Sequence, residues 1–203
     1  MKPKNQIFIV HGGMTFKNEK DYLRYLKTRT VTLGKKLSWT GEFLDKKLGN
    51  TYDIIRPRMP RSEDAKYKEW KIYFERFIPL LKSGVILIGN SLGGIFLAKY
   101  LSEHKFPKKI KAAFLVCPPF DNTLSSEDLV GGFKLKFDLS LLEKNTKNLY
   151  LMFSEDDEVV PVAHAEKYRR KLPKANIITY KSKNGHFQVT HFPEIVKLIK
   201  ELK

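Results

Sequence analysis

The stretch Val85-Ile86-Leu87-Ile88-Gly89-Asn90-Ser91-Leu92-Gly93-Gly94 decides the fold of this chain. Its apolar first half predicts a buried strand, and a helical stretch follows its second half. Between them lies G-x-S-x-G, in the strand-turn-helix setting that a nucleophile elbow needs. Such an elbow strains the serine backbone and crowds the residues two before and two after it, so only very small side chains fit there. Because Gly89 and Gly93 supply them, Ser91 is the predicted nucleophile.

A serine hydroxyl also needs a base, and the base needs a third group to orient it. An acidic stretch, Ser154 to Glu158, directly follows the apolar run 148–153 and therefore lies at the carboxyl end of a predicted strand. Enzymes with α/β folds place their chemistry at that end. His186 follows the next predicted strand on a glycine-containing loop. The order serine, acid, histidine is that of an α/β-hydrolase catalytic triad.

The chain resembles a small α/β-hydrolase of the serine hydrolase group related to retinoblastoma-binding protein nine and the YdeN-like bacterial proteins. The resemblance covers most of the chain and rests on His11-Gly12-Gly13, the elbow at Ser91, Asp-x-x-x-Pro at Asp157 to Pro161, and Gly185-His186-Phe187. In that pattern the acid lies four residues before the proline, which selects Asp157 over its neighbour Asp156. Asn90 stands where many such enzymes have a histidine, and we expect it to line the pocket without taking part in the chemistry.

The resemblance also implies an oxyanion hole made of backbone N–H groups. Its expected donors are those of Leu92 and Gly13, with Gly13 chosen over Met14, which we assign to the substrate pocket. Such donors stabilise the negative charge of the tetrahedral intermediate. We interpret His11 as a structural residue that hydrogen-bonds nearby backbone. His191 would replace His186 as the base only if the Gly-His match is misleading.

The predicted fold is a single α/β-hydrolase domain over residues 1–203, with a mostly parallel six-stranded sheet and helices on both faces. The chain is 42% hydrophobic and has no composition break or long linker. The predicted strands are Gln6–Val10, Thr51–Arg56, Gly84–Gly89, Ala112–Cys117, Leu149–Phe153 and Asn176–Tyr180. The predicted helices are Asn18–Arg29, Trp39–Leu48, Glu63–Leu81, Ser91–His104, Pro161–Leu172 and Pro193–Leu202. The resemblance implies the sheet order 2-1-3-4-5-6 with right-handed crossovers.

The strong positive charge does not by itself predict a nucleic-acid-binding protein. There are 38 Lys and Arg against 22 Asp and Glu, a net charge of +16. The basic residues are spread from end to end and mixed with acids, which is typical of solvated helix faces, and no nucleic-acid-binding motif accompanies them. We therefore expect no specific nucleic acid partner, and non-specific binding to polyanions at low salt.

Location and cofactors are constrained by what the sequence contains. The single cysteine, Cys117, allows no internal disulfide and fits a reducing compartment. Because Cys117 ends an apolar run, we interpret it as a core thiol. We find no signal-peptide core and no apolar run of membrane-spanning length, and so expect a cytoplasmic protein that does not bind membranes. No metal and no organic cofactor is implied, and the sequence predicts no oligomeric state.

The segment Pro118 to Lys147 lies where α/β-hydrolases insert a cap. It is too short for a cap domain, so we expect a small lid with a hinge at Gly131-Gly132. Phe120, Phe133 and Phe137 are the predicted walls of an open, shallow acyl pocket. By contrast, the aromatic stripe of the preceding helix has the spacing of core packing. Its members are Tyr67, Trp70, Phe74, Phe77 and Leu81.

Together these features predict a serine hydrolase that cleaves small carboxylic esters, with thioesters and small amides as further candidates. Ser91 would attack, His186 would move the proton, and Asp157 would orient the imidazole. The substrate would be a small molecule. A competing hypothesis is a catalytically idle protein of the same fold that acts as a binding module, because fold alone does not give function.

Overall fold

The computed structural model describes residues 4–34 and 37–202, in which six parallel strands form one sheet in the order β2-β1-β3-β4-β5-β6. This confirms the predicted fold class and strand order. The strands are β1 (Asn5–Val10), β2 (Tyr52–Ile55), β3 (Val85–Asn90), β4 (Ile110–Val116), β5 (Leu149–Ser154) and β6 (Asn176–Tyr180). The α-helices are α1 (Glu19–Thr28), α2 (Leu44–Leu48), α3 (Tyr67–Glu75), α4 (Leu92–Glu103), α5 (Ser140–Asn145), α6 (Ala163–Lys171) and α7 (Pro193–Glu201).

Two of the predicted helices are interrupted. The helix predicted over 39–48 opens with a π-helical turn, Trp39–Phe43, because Gly41 leaves the helical region of backbone space before α2 begins. The helix predicted over 63–81 is wrong at both ends, since α3 spans only Tyr67–Glu75. A 3₁₀ turn, Ile78–Leu80, follows it, and Pro79 within that turn has no N–H to continue an α-helix.

The sheet is buried on both faces, as its apolar strands require. Alternate residues of β1 enter different cores: Phe8 and Val10 pack on one side with α3, α4 and α6, whereas Ile7 and Ile9 pack on the other with α2 and α7. The aromatic stripe of α3 is core packing, as interpreted, with Trp70 and Phe74 fully buried.

Helix α4 is the central support of the site. Its residues from Leu92 to Leu101 are all buried between the sheet and the segment 118–147. Even its one buried lysine is satisfied, because Lys99 Nζ donates to Glu103 Oε1 at 2.7 Å and to the Lys134 carbonyl at 2.8 Å. No helix in the described part of the chain is long and apolar enough to cross a bilayer.

Candidate active site

The backbone around Ser91 has the geometry of a nucleophile elbow. Ser91 lies between β3 and α4 with φ 53° and ψ −120°, a conformation that is strained for a residue with a side chain. A Cβ atom on Gly89 would overlap the Gly93 carbonyl oxygen and lie 2.8 Å from the Gly94 Cα. A Cβ atom on Gly93 would lie 2.6 Å from the His11 carbonyl oxygen. The crowding expected on both sides of the serine is therefore confirmed.

Asp157 lies in the loop after β5 and is held in one orientation. Its side chain is 1% exposed, and its Oδ1 accepts hydrogen bonds from the backbone N–H groups of Val159 and Val160, each at 2.9 Å. His186 Nδ1 donates to both carboxylate oxygens, at 2.9 and 2.8 Å. This arrangement fixes the imidazole so that Nε2 is the nitrogen available for proton transfer.

The neighbouring acid, Asp156, makes a different set of contacts. Its carboxylate accepts hydrogen bonds from Ser154 and Ser182, and from the backbone N–H groups of Lys183 at 3.1 Å and Gly185 at 3.0 Å. The hydrogen bonds from Ser154, Ser182 and these two amides hold the pKa of Asp156 well below its usual range. Asp156 thus braces the loop that carries His186 and leaves the contact with the imidazole to Asp157.

The other imidazole nitrogen faces a thiol. Cys117 directly follows β4, is fully buried, and has φ 42°, which is an uncommon backbone conformation for a residue with a side chain. Its Sγ lies 3.8 Å from His186 Nε2 and 3.7 Å from Asn90 Oδ1. Ser91 Oγ makes no hydrogen bond to any described residue. Nucleophile-base bonds are often loose before substrate binds.

Sequence reasoning identified Cys117 as a core thiol but missed its contact with His186. The signal that could have found it is topological. Cys117 ends the strand beside β3, and the carboxyl ends of neighbouring parallel strands meet at one edge of the sheet.

The thiol bears on the charge state of the base. Burial lowers the pKa of His186, but the adjacent Cys117 and the hydrogen bond to Asp157 outweigh it, so the pKa lies above the usual 6.5. A base with a raised pKa stays protonated to higher pH. Removing the Cys117 sulfur should therefore lower the pKa of His186, so that the neutral imidazole is present at lower pH.

Two backbone N–H groups near Ser91, one at the start of α4 and one in the loop after β1, donate to no described residue. Leu92 is the first residue of α4, where an N–H has no carbonyl partner within the helix. Gly13 N–H donates to no described residue, whereas Met14 N–H is occupied by the Ser62 carbonyl at 2.9 Å. A Cβ atom on Gly13 would lie 2.6 Å from that same carbonyl oxygen, so the loop needs glycine there. These contacts favour Gly13 over Met14 as the second donor.

His11 is a structural residue, as interpreted. Its Nε2 accepts a hydrogen bond from Met59 N–H at 2.9 Å, and its Nδ1 lies 2.6 Å from the Gly12 carbonyl oxygen, to which it donates. Both nitrogens are therefore used to fix the loop after β1. His191 likewise packs on Phe43 and hydrogen-bonds Thr190, outside the group formed by Asp157 and His186.

Two cavities flank the pair Ser91 and His186. The first, here named the Ser91 cavity, has a free volume of only about 10 Å³. Its lining includes Gly13, Ser91, Leu92, Pro119, Leu124, Glu127, Leu129 and Val160. The second, the His186 cavity, has about 280 Å³ and is lined by Asn90, His186, Trp39, Phe187 and Val189, among others. Ser91 and His186 therefore line different cavities.

Most of the residues that the sequence predicts for the substrate pocket do not line either cavity. Phe133 is fully buried and packs edge-on against Trp70, and Phe137 is 86% exposed beneath the Lys171 ammonium. Phe120 packs against Tyr168. These three and Met14 line neither cavity, whereas Asn90 lines the His186 cavity. Phe120 and Phe133 are used for packing and Phe137 is exposed, so the smaller residues of the segment line the Ser91 cavity.

The segment 118–147 is tied down over the Ser91 cavity. Thr15 Oγ1 donates to the Asp128 carbonyl at 2.5 Å and accepts from Val130 N–H at 2.9 Å. Further along, Tyr67 N–H donates to the Gly131 carbonyl at 2.8 Å, and Gly131 has φ 68°. These contacts join the segment to the loop that supplies Gly13.

One group among the described residues has the composition of a metal site. The ligating atoms of Cys117, Asp157 and His186 lie within 4.8 Å of one another. Asp157 already accepts hydrogen bonds on both oxygens from the imidazole, and on one of them from two amides. The contacts of this carboxylate are thus those of a group that orients a histidine.

A family model described as serine hydrolase matches residues 38–200. The chain belongs to the serine hydrolase family. It is therefore an enzyme of the hydrolase class, and the matched region contains Ser91, Asp157 and His186. No curated protein sequence matches the chain.

Solved structures of several hydrolases share the fold of this serine hydrolase. The ydeN gene product of Bacillus subtilis has a TM-score of 0.75 and 16% identity, with 98% of each chain covered. Est1E from Butyrivibrio proteoclasticus has a TM-score of 0.59 and 13% identity over 99% of this chain and 87% of that one. A putative aryl esterase from Burkholderia cenocepacia has a TM-score of 0.63 and 12% identity, covering 97% and 90%. The expected YdeN-like fold is confirmed.

Substituting Asp157 and Asp156 in turn should distinguish the acid that orients the His186 imidazole from the acid that holds the loop carrying it. Asp157→Asn should lower kcat by about 10⁴, because the amide N–H₂ donates to Nδ1 and holds the imidazole in the tautomer that carries its proton on Nε2. Asp156→Asn retains an acceptor for the loop and should have a much smaller effect. Steady-state kinetics on p-nitrophenyl acetate would measure both, and an exchange of the two phenotypes would contradict the assignment of Asp157.

Cys117→Ser should move the acid limb of the pH–rate profile to lower pH. The substitution removes the sulfur atom whose contact with Nε2 helps to raise the pKa of His186, so the imidazolium gives up its proton more readily. The measurement is kcat/KM from pH 5 to 10. Ser102→Ala, a change to a side chain that bonds only the Lys99 carbonyl, serves as the control. An acid limb at the same pH in Cys117→Ser and in the native enzyme would show that Cys117 does not raise the pKa of His186.

Proposed function

We propose that this serine hydrolase cleaves carboxylic esters of small acyl groups through a covalent acyl-enzyme. The observation that carries the proposal is the pairing of the Ser91 elbow with the Asp157–His186 hydrogen bonds at the same edge of the sheet. Thioesters and small amides would react by the same steps. The proposal requires no cofactor and no metal.

In the first half-reaction, Ser91 Oγ attacks the ester carbonyl while His186 Nε2 takes the hydroxyl proton. The charge that develops on the carbonyl oxygen is stabilised by the N–H groups of Leu92 and Gly13. Collapse of the tetrahedral intermediate breaks the bond to the alcohol oxygen, which receives its proton from the imidazolium. In the second half-reaction, water attacks the acyl-enzyme by the same path and releases the acid. Asp157 keeps the imidazole oriented throughout.

The two cavities suggest which part of the substrate lies where. The leaving group must be within reach of Nε2 to take its proton, which favours the larger His186 cavity for the alcohol. The acyl group is bonded to Oγ and lies beside the oxyanion donors, which favours the Ser91 cavity. With room there for about one water-sized group, the acyl portion is expected to be short.

The comparisons support an esterase reaction through fold alone. The protein from Burkholderia cenocepacia is described as a putative aryl esterase and shares the fold of this chain at 12% identity. Ester cleavage is thus a chemistry that this fold supports, and the residues at the elbow supply it here.

A fluorophosphonate probe should label the native protein covalently, and Ser91→Ala should abolish the labelling. Ser83→Ala is a suitable control, because Ser83 is exposed and lies at the opposite end of β3. Intact-mass spectrometry measures the adduct, and far-UV circular dichroism checks that both variants fold. Continued labelling of Ser91→Ala would remove Ser91 as the nucleophile.

Acyl-chain preference should follow from the small Ser91 cavity. Each further CH₂ gains about 0.8 kcal/mol only if it is buried, so kcat/KM on p-nitrophenyl esters should peak between acetate and hexanoate and decline towards laurate. Leu124→Ala, which enlarges the cavity wall, should move the optimum to longer chains. Leu80→Ala, at an exposed position, should leave it in place. A kcat/KM of the native protein that rises steadily with acyl chains up to twelve or more carbons would contradict a small acyl site.

A further inference from the structure

The wall of the Ser91 cavity contains two acidic residues outside the triad, Glu127 and Asp128, and of these Asp128 already pairs with a lysine, Lys17. Glu127 belongs to the segment 118–147 and lines the cavity together with Ser91, Leu92 and Gly13. It is only partly exposed, and it lies near enough to His186 and Asp157 for their charges to act on it. The acid therefore faces the place assigned to the acyl group.

Glu127 has no partner of its own within the described chain. No described lysine, arginine or N–H group pairs with its carboxylate. The adjacent acid, Asp128, does have a partner, because its Oδ1 lies 2.8 Å from Lys17 Nζ. A partly buried carboxylate without a partner is costly to maintain, and such a group in a binding cavity points to a ligand that supplies the missing charge.

The surroundings of Glu127 increase the strength of such a contact. The other walls near it include Leu124, Leu129 and Val160, which are apolar, and the polar members bear no positive charge. In a site of low effective dielectric constant, an ion pair is stronger than at the surface. The overall charge of +16 does not oppose it at short range, because charges farther than about 8 Å are screened at physiological ionic strength.

The backbone near Glu127 is fixed by neighbouring contacts. Asp128 pairs with Thr15 in an antiparallel bridge, and Thr15 Oγ1 bonds the backbone on both sides of Leu129. The carboxylate is thus presented from a tied segment, which is what a specificity residue needs.

We propose that Glu127 makes the Ser91 cavity selective for substrates with a positively charged acyl group, such as esters of short amino acids. The ammonium would lie against the Glu127 carboxylate while the carbonyl lies between Ser91 and the oxyanion donors. Because the cavity has room for about one water-sized group, the chain between them would displace part of the wall. This inference rests on the proposed esterase function, and it names the class of acyl group that the same site accepts.

The protonation behaviour of Glu127 agrees with this role. Burial, with a further contribution from the charge of Asp157, raises the pKa of Glu127, while the charge of His186 opposes the shift. A bound ammonium would favour the ionised form and lower that pKa again. Binding of a cationic substrate should therefore strengthen as the pH rises through the pKa of the free carboxyl.

The test compares three ethyl esters of nearly equal size. In β-alanine ethyl ester an ammonium takes the place of the terminal methyl of ethyl butanoate, and in monoethyl succinate a carboxylate does. The native enzyme should have the highest kcat/KM on the cationic ester. Glu127→Gln should lower the ratio of cationic to neutral kcat/KM by about 10- to 100-fold, the loss expected for a hydrogen bond between charged groups. Glu127→Lys should favour the succinate ester.

Glu155→Gln is the matched control, because Glu155 is exposed, pairs with Lys181 and lines neither cavity. It should leave the ratio unchanged. A ratio that is the same in Glu127→Gln as in the native enzyme would overturn the proposal, and so would a native preference for the neutral ester.

Binding separates this proposal from the esterase reaction itself. In a Ser91→Ala background, which cannot form an acyl-enzyme, calorimetry measures the affinity for β-alanine ethyl ester and for ethyl butanoate with and without Glu127→Gln. A cationic preference that depends on Glu127 in this background supports the site even if the native protein turns over none of the esters. Equal affinities for the two esters would exclude it even if the native protein is an active esterase.

Discussion

The close approach of three backbone segments is the constraint on which the rest of the site depends. The end of β1, the end of β3 and the start of α4 meet with no space for a Cβ atom at Gly89 or Gly93. This contact forces Ser91 into its strained conformation and directs the amino end of α4 at the sheet edge. The positions of Ser91, of the free N–H of Leu92 and of the adjacent loop with Gly13 thus follow from one packing requirement.

The sheet order then brings the remaining groups together. Ser91, Cys117 and Asp157 directly follow or lie in the loops after β3, β4 and β5, and His186 lies in the loop after β6. These strands are neighbours in the sheet, so their carboxyl ends form one continuous edge. The two adjacent acids divide the work in this edge: Asp157 fixes the imidazole, and Asp156 fixes the loop that carries it.

The sequence predicts the strands and their order because continuous apolar runs and a glycine-rich elbow are local signals. It predicts poorly where tertiary contacts decide. The length of α3 depends on where the chain turns before Tyr67 and on Pro79 after it, and helical periodicity continues through both. In the segment 118–147, aromatic residues were the natural candidates for pocket walls, yet Phe133 is fully buried beside Trp70. Which side chain faces Ser91 is set by the bonds of Thr15, which no local pattern encodes.

The hydrogen bonds of Thr15 connect the wall of the Ser91 cavity to the loop that contains Gly13. The loop after β1 contains Gly13, a proposed oxyanion donor, and two residues later Thr15, which bonds the segment that covers Ser91. Met14, between them, is also held by backbone hydrogen bonds: its N–H donates to the Ser62 carbonyl, and its carbonyl accepts from Ala65 N–H. Because the free volume beneath the segment is about 10 Å³, an acyl group larger than a water molecule must displace part of this wall. Since the wall and the oxyanion loop share a hydrogen-bonded bridge, such displacement strains the loop that must stabilise the transition state, and the cost rises with the size of the acyl group.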